Sequence, residues 1–331
     1  MDNYYTAPHL LLPPNHSFQC SEKKENHSVL FSCNLPKSSL RLEFACRSPS
    51  CGALHENEPS VHTQQSEEDE DECLVDPNFF DSGYTMAGLT GFTIWTGTRL
   101  LIETLCWRQD CYCDRLTTIQ RRLANARVLE LGAGVGVVGV YIAASVGSSV
   151  LLTDLPTLVE NAIEDNLARN EAANDKLERQ QNNPTKESHL WLGPNPHRIG
   201  NGWASSASLD WTRPIYQQLT PLQSQSIDFI VASDVVFLVS MLQSLLNTVS
   251  SLFASSSHND PSFLLSFQRR DSKDGEESIS FTTVNRVIRE VKQRGWTIDC
   301  LAWRPVMVMK ETKNGEVAKV ESQVFVFEIR P

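Results

Sequence analysis

Four acidic side chains stand at positions where an α/β chain gathers chemistry. Glu130 precedes glycines at 132, 134, 136 and 139, and Asp154 ends the next apolar run. Asp210 is followed by Trp211, and Asp234 ends a further apolar run, SIDFIVAS at 226–233. Carboxylates accept hydrogen bonds from ligand hydroxyls and amines, and open α/β sheets place ligands beyond the C-terminal ends of their strands. Glycines let the backbone come close to a ligand and adopt positive φ. Asp154 lies 22 residues past Gly132. In a βαβ unit that spacing puts an acid at the tip of the second strand, where it can accept both ribose hydroxyls. Asp210 and Trp211 offer an acceptor and a flat aromatic face, which suits the exocyclic amine and the π face of adenine. Trp95 precedes a helical tract leading to the glycine run, as a core side chain or as a cofactor contact.

Two cofactors compete for the glycine loop. Gly134, Gly136 and Gly139 spell GxGxxG, the dinucleotide signature, while Glu130 to Gly136 spells Glu-x-Gly-x-Gly-x-Gly. A ribose acid at Asp154 serves NAD and S-adenosylmethionine equally, since both carry adenosine.

The elements that must position these residues follow from apolar periodicity. Strands are expected at Val128–Leu131, Ser149–Thr153, Ser205–Trp211, Ser226–Ser233, Phe263–Phe267, Trp296–Trp303 and Val324–Ile329. Helices are expected after Trp95, over Val137–Ser145, over 157–170, after Leu238 and over 277–294, with Gly295 as a stop. Trp107 to Ala126 reads as a mixed, charged connection. Alternating strands and helices predict a Rossmann-like, twisted, seven-stranded α/β sheet with helices on both faces and an antiparallel strand at the C-terminus. Ser28–Cys33 and Leu40–Cys46 alternate as strands, so residues 28–46 are expected to form a β-hairpin preamble. The reading divides the chain into a flexible N-terminus at 1–27, this hairpin, a disordered acidic insertion at 47–78 with EEDEDE at 67–72, and a catalytic domain at 79–331. Within that domain, 171–202 reads as a surface-loop insertion.

Composition narrows the function. Of 331 residues, 40% are hydrophobic, enough for a sizeable core, and the net charge of −11 argues against nucleic-acid binding. No apolar run is long enough to span a membrane, and the first residues lack the basic-then-apolar pattern of a secretory signal. Nine irregularly spaced cysteines are expected to be reduced thiols in a cytoplasmic protein, with nuclear presence also compatible. Cys111 and Cys113 are too close together for a zinc pair, so no metal is expected. A monomer is expected.

Five motifs occur in order: Trp95, ELGAGVG at 130–136, TD at 153–154, LDW at 209–211 and ASDVVF at 232–237. Together they resemble family 16 of the seven-strand S-adenosylmethionine-dependent methyltransferases, and within it the methyltransferase-like 21 group of protein-lysine methyltransferases. The resemblance covers residues 79–331 and favours S-adenosylmethionine over NAD. It implies a protein substrate methylated on lysine. It implies cofactor contacts from Trp95, Glu130, Gly132, Ala133, Gly134, Asp154, Asp210, Trp211 and Ser233. Asp234 would open the family's D-x-x-Y-type motif and is expected to hold the acceptor amine; an Asp that bonds backbone amides at a strand end is the structural alternative. Position 237 is Phe where Tyr is common, and Phe267-Gln268-Arg269 stands where many relatives carry an acid two before an Arg. A methyltransferase acting on a small molecule or another residue type, or a binding module that keeps the cofactor without the chemistry, is the competing reading.

Overall fold

The computed structural model describes residues 20–25, 28–35, 40–46, 48–49, 90–106, 114–175, 190–257, 260–269, 282–311 and 317–331. The acidic run at 67–72 and Cys111 and Cys113 lie outside the described residues.

Strand β6, Arg127–Leu131, is the centre of the sheet. It runs parallel to β7, Ser149–Asp154, on one side and to β10, Phe229–Ser233, on the other. Beyond β7 lies parallel β9, Gly202–Ser208, and beyond β10 lies parallel β11, Ser262–Gln268. All six residues of β7 are buried, as expected of a parallel strand covered on both faces. The chain therefore builds outward from β6 through β7 to β9, then returns to build β10 and β11 on the other flank. The order reverses between β6 and β10, which opens a crevice at their C-terminal ends.

The expected antiparallel C-terminus is present as a two-strand ribbon. Strand β13, Val317–Arg330, pairs antiparallel with β11, and β12, Thr297–Glu311, pairs antiparallel with β13 through a bulge at Cys300/Ala302. Both strands outrun their expected lengths because cross-strand pairing carries polar residues that periodicity alone leaves out. Among the described residues the sheet has eight strands rather than seven: β8, His197–Ile199, adds an antiparallel edge to β9.

Helices cover both faces. Helices α1, Thr96–Cys106, and α3, Val137–Val146, pack on one face with the N-terminal strands; α6, Val239–Ser255, and α7, Val284–Gln293, close the other, and the short α5, Pro221–Gln225, precedes α6. Helix α3 is apolar nearly all round and is buried accordingly. Gly295, with φ of 79°, ends the α7 turn in the left-handed conformation as expected. No helix among the described residues is long and apolar enough to cross a membrane.

Three expectations are corrected. The connection before β6 contains α2, Asp114–Leu123, whose Leu116, Ile119 and Leu123 form a buried stripe. Its charged face masks that stripe in the sequence, and Arg115 on this face pairs with Glu328, a fully buried acid of β13. The stretch 171–202 is largely ordered where it is described. Helix α4 comprises Pro156–Leu158, a π turn at Val159–Ile163 and Glu164–Asp175; Trp191 is fully buried, and β8 follows. The preamble is a three-stranded antiparallel sheet, in which β2, Ser28–Asn34, and β3, Arg41–Cys46, form the expected hairpin. Strand β1, Cys20–Glu25, is added from the stretch expected to be flexible. A further short pair joins β4, Ser48–Pro49, to β5, Thr93–Ile94.

Trp191 belongs to the core beneath α6, and its indole N–H donates to the Gln223 carbonyl at 3.3 Å. Trp191→Ala is expected to lower unfolding free energy by about 3–5 kcal/mol in urea titrations; a loss under ~1 kcal/mol would return 171–202 to the status of a surface loop.

Candidate active site

The crevice between β6 and β10 is a cavity of about 460 Å³. Trp95, Glu130, Gly132, Ala133, Gly134, Asp154, Asp210, Trp211, Ser233 and Asp234 all line it. Trp95, Asp154 and Trp211 therefore share one pocket.

The glycine loop is held from below. The amides of Gly132 and Ala133 donate to the Thr153 carbonyl at 2.9 and 3.0 Å, and the Thr153 hydroxyl donates to the Glu130 carbonyl at 2.6 Å. Gly132 and Gly134 have φ of 68° and 58°, in the left-handed region. A Cβ on Gly132 would lie 2.6 Å from Val235 Cγ1 and 3.2 Å from Trp211 Cζ2, and a Cβ on Gly134 would lie 2.7 Å from the Gly91 carbonyl oxygen. Both conformation and space therefore demand glycine.

Asp154 stands at the tip of β7. One carboxylate oxygen accepts the Gly134 amide at 2.8 Å and the other accepts the Leu155 amide at 2.7 Å. Two lone pairs remain for a diol. Burial raises its pKa to about 6, and the two amides oppose that rise. Glu130 is buried beneath the loop, where one oxygen accepts the Gly139 amide at 2.9 Å. Burial raises its pKa to about 8, the Gly139 amide lowers it, and the nearby Asp154 charge adds to the rise.

A further wall of the cavity is built from the turn after β9. Asp210 accepts the amide and hydroxyl of Thr212 through one oxygen at 2.8 and 2.7 Å, leaving the other as an acceptor. Gln218 clamps the turn by accepting from the Asp210 amide and donating to its carbonyl. Trp211 lies over the glycine loop, and Trp95, with its indole N–H on the Thr90 carbonyl at 3.1 Å, forms part of the wall.

On the β10 side, Ser233 joins a chain of hydroxyls to Ser266 at 3.0 Å and Thr98 at 3.2 Å. Asp234 is buried with a left-handed φ of 53°. Its two oxygens accept the Gly97 amide at 2.5 Å, in the first turn of α1, and the Gln268 amide at 2.8 Å, at the end of β11. Asp234 thus has the backbone role that stood as the structural alternative. It anchors the positive end of α1 against the sheet while lining the cavity.

Sequence reasoning missed several wall residues. Thr98 follows Trp95 by one turn of α1; Leu155 and Leu158 follow Asp154 at helical spacing. Phe237, Met241 and Ser244 line the cavity from the β10–α6 connection and the first turns of α6. The i, i+3 spacing of Leu155 and Leu158 was the available signal.

A family model described as lysine methyltransferase matches residues 85–186 and 197–284. The chain belongs to the lysine methyltransferase family. This family is S-adenosylmethionine-dependent, and S-adenosylmethionine is the cofactor of this chain. Protein-lysine methyltransferase METTL21E of Bos taurus is 30% identical over 142 residues, which are 43% of this chain and 39% of that protein. A putative methyltransferase-like protein 21E pseudogene of Homo sapiens is 30% identical over 142 residues, 43% of this chain and 42% of its own length. The match spans about two-fifths of the length of each relative. Among solved structures, YcgJ of Bacillus subtilis shares 10% identity with a TM-score of 0.44, covering 71% of this chain and 97% of its own. The glycopeptide N-methyltransferase MtfA with S-adenosylmethionine shares 16% identity with a TM-score of 0.37, covering 70% of this chain and 96% of its own.

The residues fit this cofactor. The cavity presents a tip carboxylate with free lone pairs for a ribose, an acceptor beside an indole for adenine, and two glycines that a Cβ would crowd.

Glu130 binds its proton more tightly in the fold than in the unfolded chain. Its contribution to stability is complete below the ordinary value of 4.5 and is lost as pH rises through about 8. Glu130→Gln removes this dependence. Between those limits the ligand-free wild type is expected to lose melting temperature more steeply than E130Q in scanning calorimetry, and parallel profiles would show that Glu130 ionises freely.

Proposed function

We propose that the protein is an S-adenosylmethionine-dependent protein-lysine N-methyltransferase. The observation that carries this reading is the convergence of ten residues from five separate motifs on one cavity at the switch point of the sheet, in a chain of the lysine methyltransferase family. The Bos taurus relative named as a protein-lysine methyltransferase lends the substrate class.

When bound, S-adenosylmethionine supplies a methyl group already activated by its sulfonium. The protein's task is therefore to align a neutral amine behind that methyl and exclude water. Asp154 binds the ribose diol, with the Gly134 amide fixing its orientation. Asp210 and Trp211 hold the adenine edge and face. A lysine near pKa 10.4 must first lose its proton, and an apolar wall disfavours its charged form. Phe237 and Met241 supply such a wall, and the hydroxyl of Ser233 and the carboxylate of Asp234 line the cavity beside it as groups able to accept the amine hydrogens.

Labelled methyl groups supplied on the cofactor are expected to enter protein in a fractionated lysate, with mass spectrometry locating them on lysine. Label on another residue type, or on small molecules alone, would refute the substrate class. Asp234→Asn keeps the side chain's shape but turns one oxygen into a donor. It is expected to cut transfer at least ~100-fold while cofactor affinity stays within a few-fold; unchanged turnover would confine Asp234 to its backbone contacts.

A further inference from the structure

Two buried asparagines on α4 do the work of a missing β-strand. Asn166 and Asn170 are 1% and 0% exposed and lie one helical turn apart. Asn166 Oδ1 accepts the Ala45 amide at 2.8 Å, and its Nδ2 donates to the Ala45 carbonyl at 3.2 Å. Asn170 Oδ1 accepts the Glu43 amide at 2.9 Å, and its Nδ2 donates to the Glu43 carbonyl at 2.8 Å. Strand β3 pairs with β2 on one side and is the edge of its sheet, so the outward amides and carbonyls of Glu43 and Ala45 need partners. Residues two apart on a strand are about 6.7 Å apart, and residues four apart on a helix rise about 6 Å, so the two side chains match two outward strand positions. An amide side chain carries the required donor and acceptor side by side on one planar group.

Asn166 makes one contact more. Its Nδ2 also donates to the Val135 carbonyl at 2.9 Å, in the middle of the glycine loop. The neighbouring Gly136 amide donates to the Ala133 carbonyl at 2.8 Å, so the Val135–Gly136 peptide is held at both ends. Val135 lines the cavity next to Gly134, whose amide orients Asp154. Glycines on either side of Val135 leave that peptide free to rotate unless something holds its carbonyl. A second tie runs from the Tyr141 hydroxyl of α3 to the Asn34 carbonyl of β2 at 3.0 Å.

We infer that Asn166 is a positioning residue for cofactor binding: its amide holds the Val135 carbonyl away from the cavity and, with Asn170, pairs the open edge of β3, so that the N-terminal sheet braces the glycine loop. Asn170 secures the strand without touching the loop, which separates the two effects. The inference rests on the S-adenosylmethionine assignment.

The test uses the full chain and S-adenosylhomocysteine as probe, with dissociation constants from calorimetry and amide exchange over residues 132–140 in the ligand-free protein. Asn166→Ala is expected to weaken binding about tenfold, the effect of leaving one buried carbonyl unpartnered, and to speed exchange in the loop. Asn170→Ala is expected to lower stability while binding stays within twofold. Asn166→Asp, which keeps the acceptor for Ala45 but loses the donor to Val135, is expected to follow Asn166→Ala and serves if that variant does not fold. Binding within twofold of wild type in both Asn166 variants overturns the inference, as does equal weakening by Asn170→Ala. Failure of the wild type to bind the probe would instead overturn the cofactor assignment.

Discussion

The site depends on the hydrogen bond from the Gly134 amide to the Asp154 carboxylate. It joins the loop after β6 to the tip of β7, and it fixes both the path of the loop and the orientation of the acid at that tip. The loop can reach Asp154 only with a positive φ at Gly134 and with no side chain there to strike the Gly91 carbonyl. The same contact opposes the burial that pushes the Asp154 pKa up to about 6, so the carboxylate is held ionisable near neutrality inside an enclosed wall.

Around that bond the protein uses backbone amides wherever a buried acid faces the cavity. Glu130 has Gly139, Asp154 has Gly134 and Leu155, and Asp234 has Gly97 and Gln268. Each amide sits near a helix start or a strand end, where hydrogen-bonding groups are left over from regular pairing. The acids thus serve as joints between elements while they line the cavity. Away from the cavity the fold buries charge differently. Glu103 and Glu328 are fully buried but are met by arginines, Arg99 and Arg304 for the first and Arg115 and Arg330 for the second. Those pairs fasten α1 and α2 to the C-terminal ribbon and leave no acceptor capacity aimed at the pocket.

Most of the α/β core was legible because local patterns carried it. The apolar run Val128–Leu131, the glycines after it, and the apolar runs ending at Asp154 and Asp234 mark buried parallel strands and their tips. Helix α2 was hidden by its charged face, and the long arms of β12 and β13 were hidden because pairing, not apolar alternation, sustains them. Trp191 looked like part of a polar insertion because the core cluster that takes it in is assembled from strands and helices distant in the chain.

Residue types and spacing alone determined which groups this protein brings to chemistry, since strand tips and glycine turns are written in neighbouring residues. What each group does there was decided only by the tertiary structure. Asp234 read as an acid free to hold an amine, yet its carboxylate is met by Gly97 and Gln268, from elements 137 and 34 residues away in sequence. Asn166 and Asn170 read as ordinary polar helix residues, and their role exists only because the open edge of β3 docks against them. Hydrogen-bond partners across such separations are chosen by packing of the whole sheet, and no local pattern encodes them.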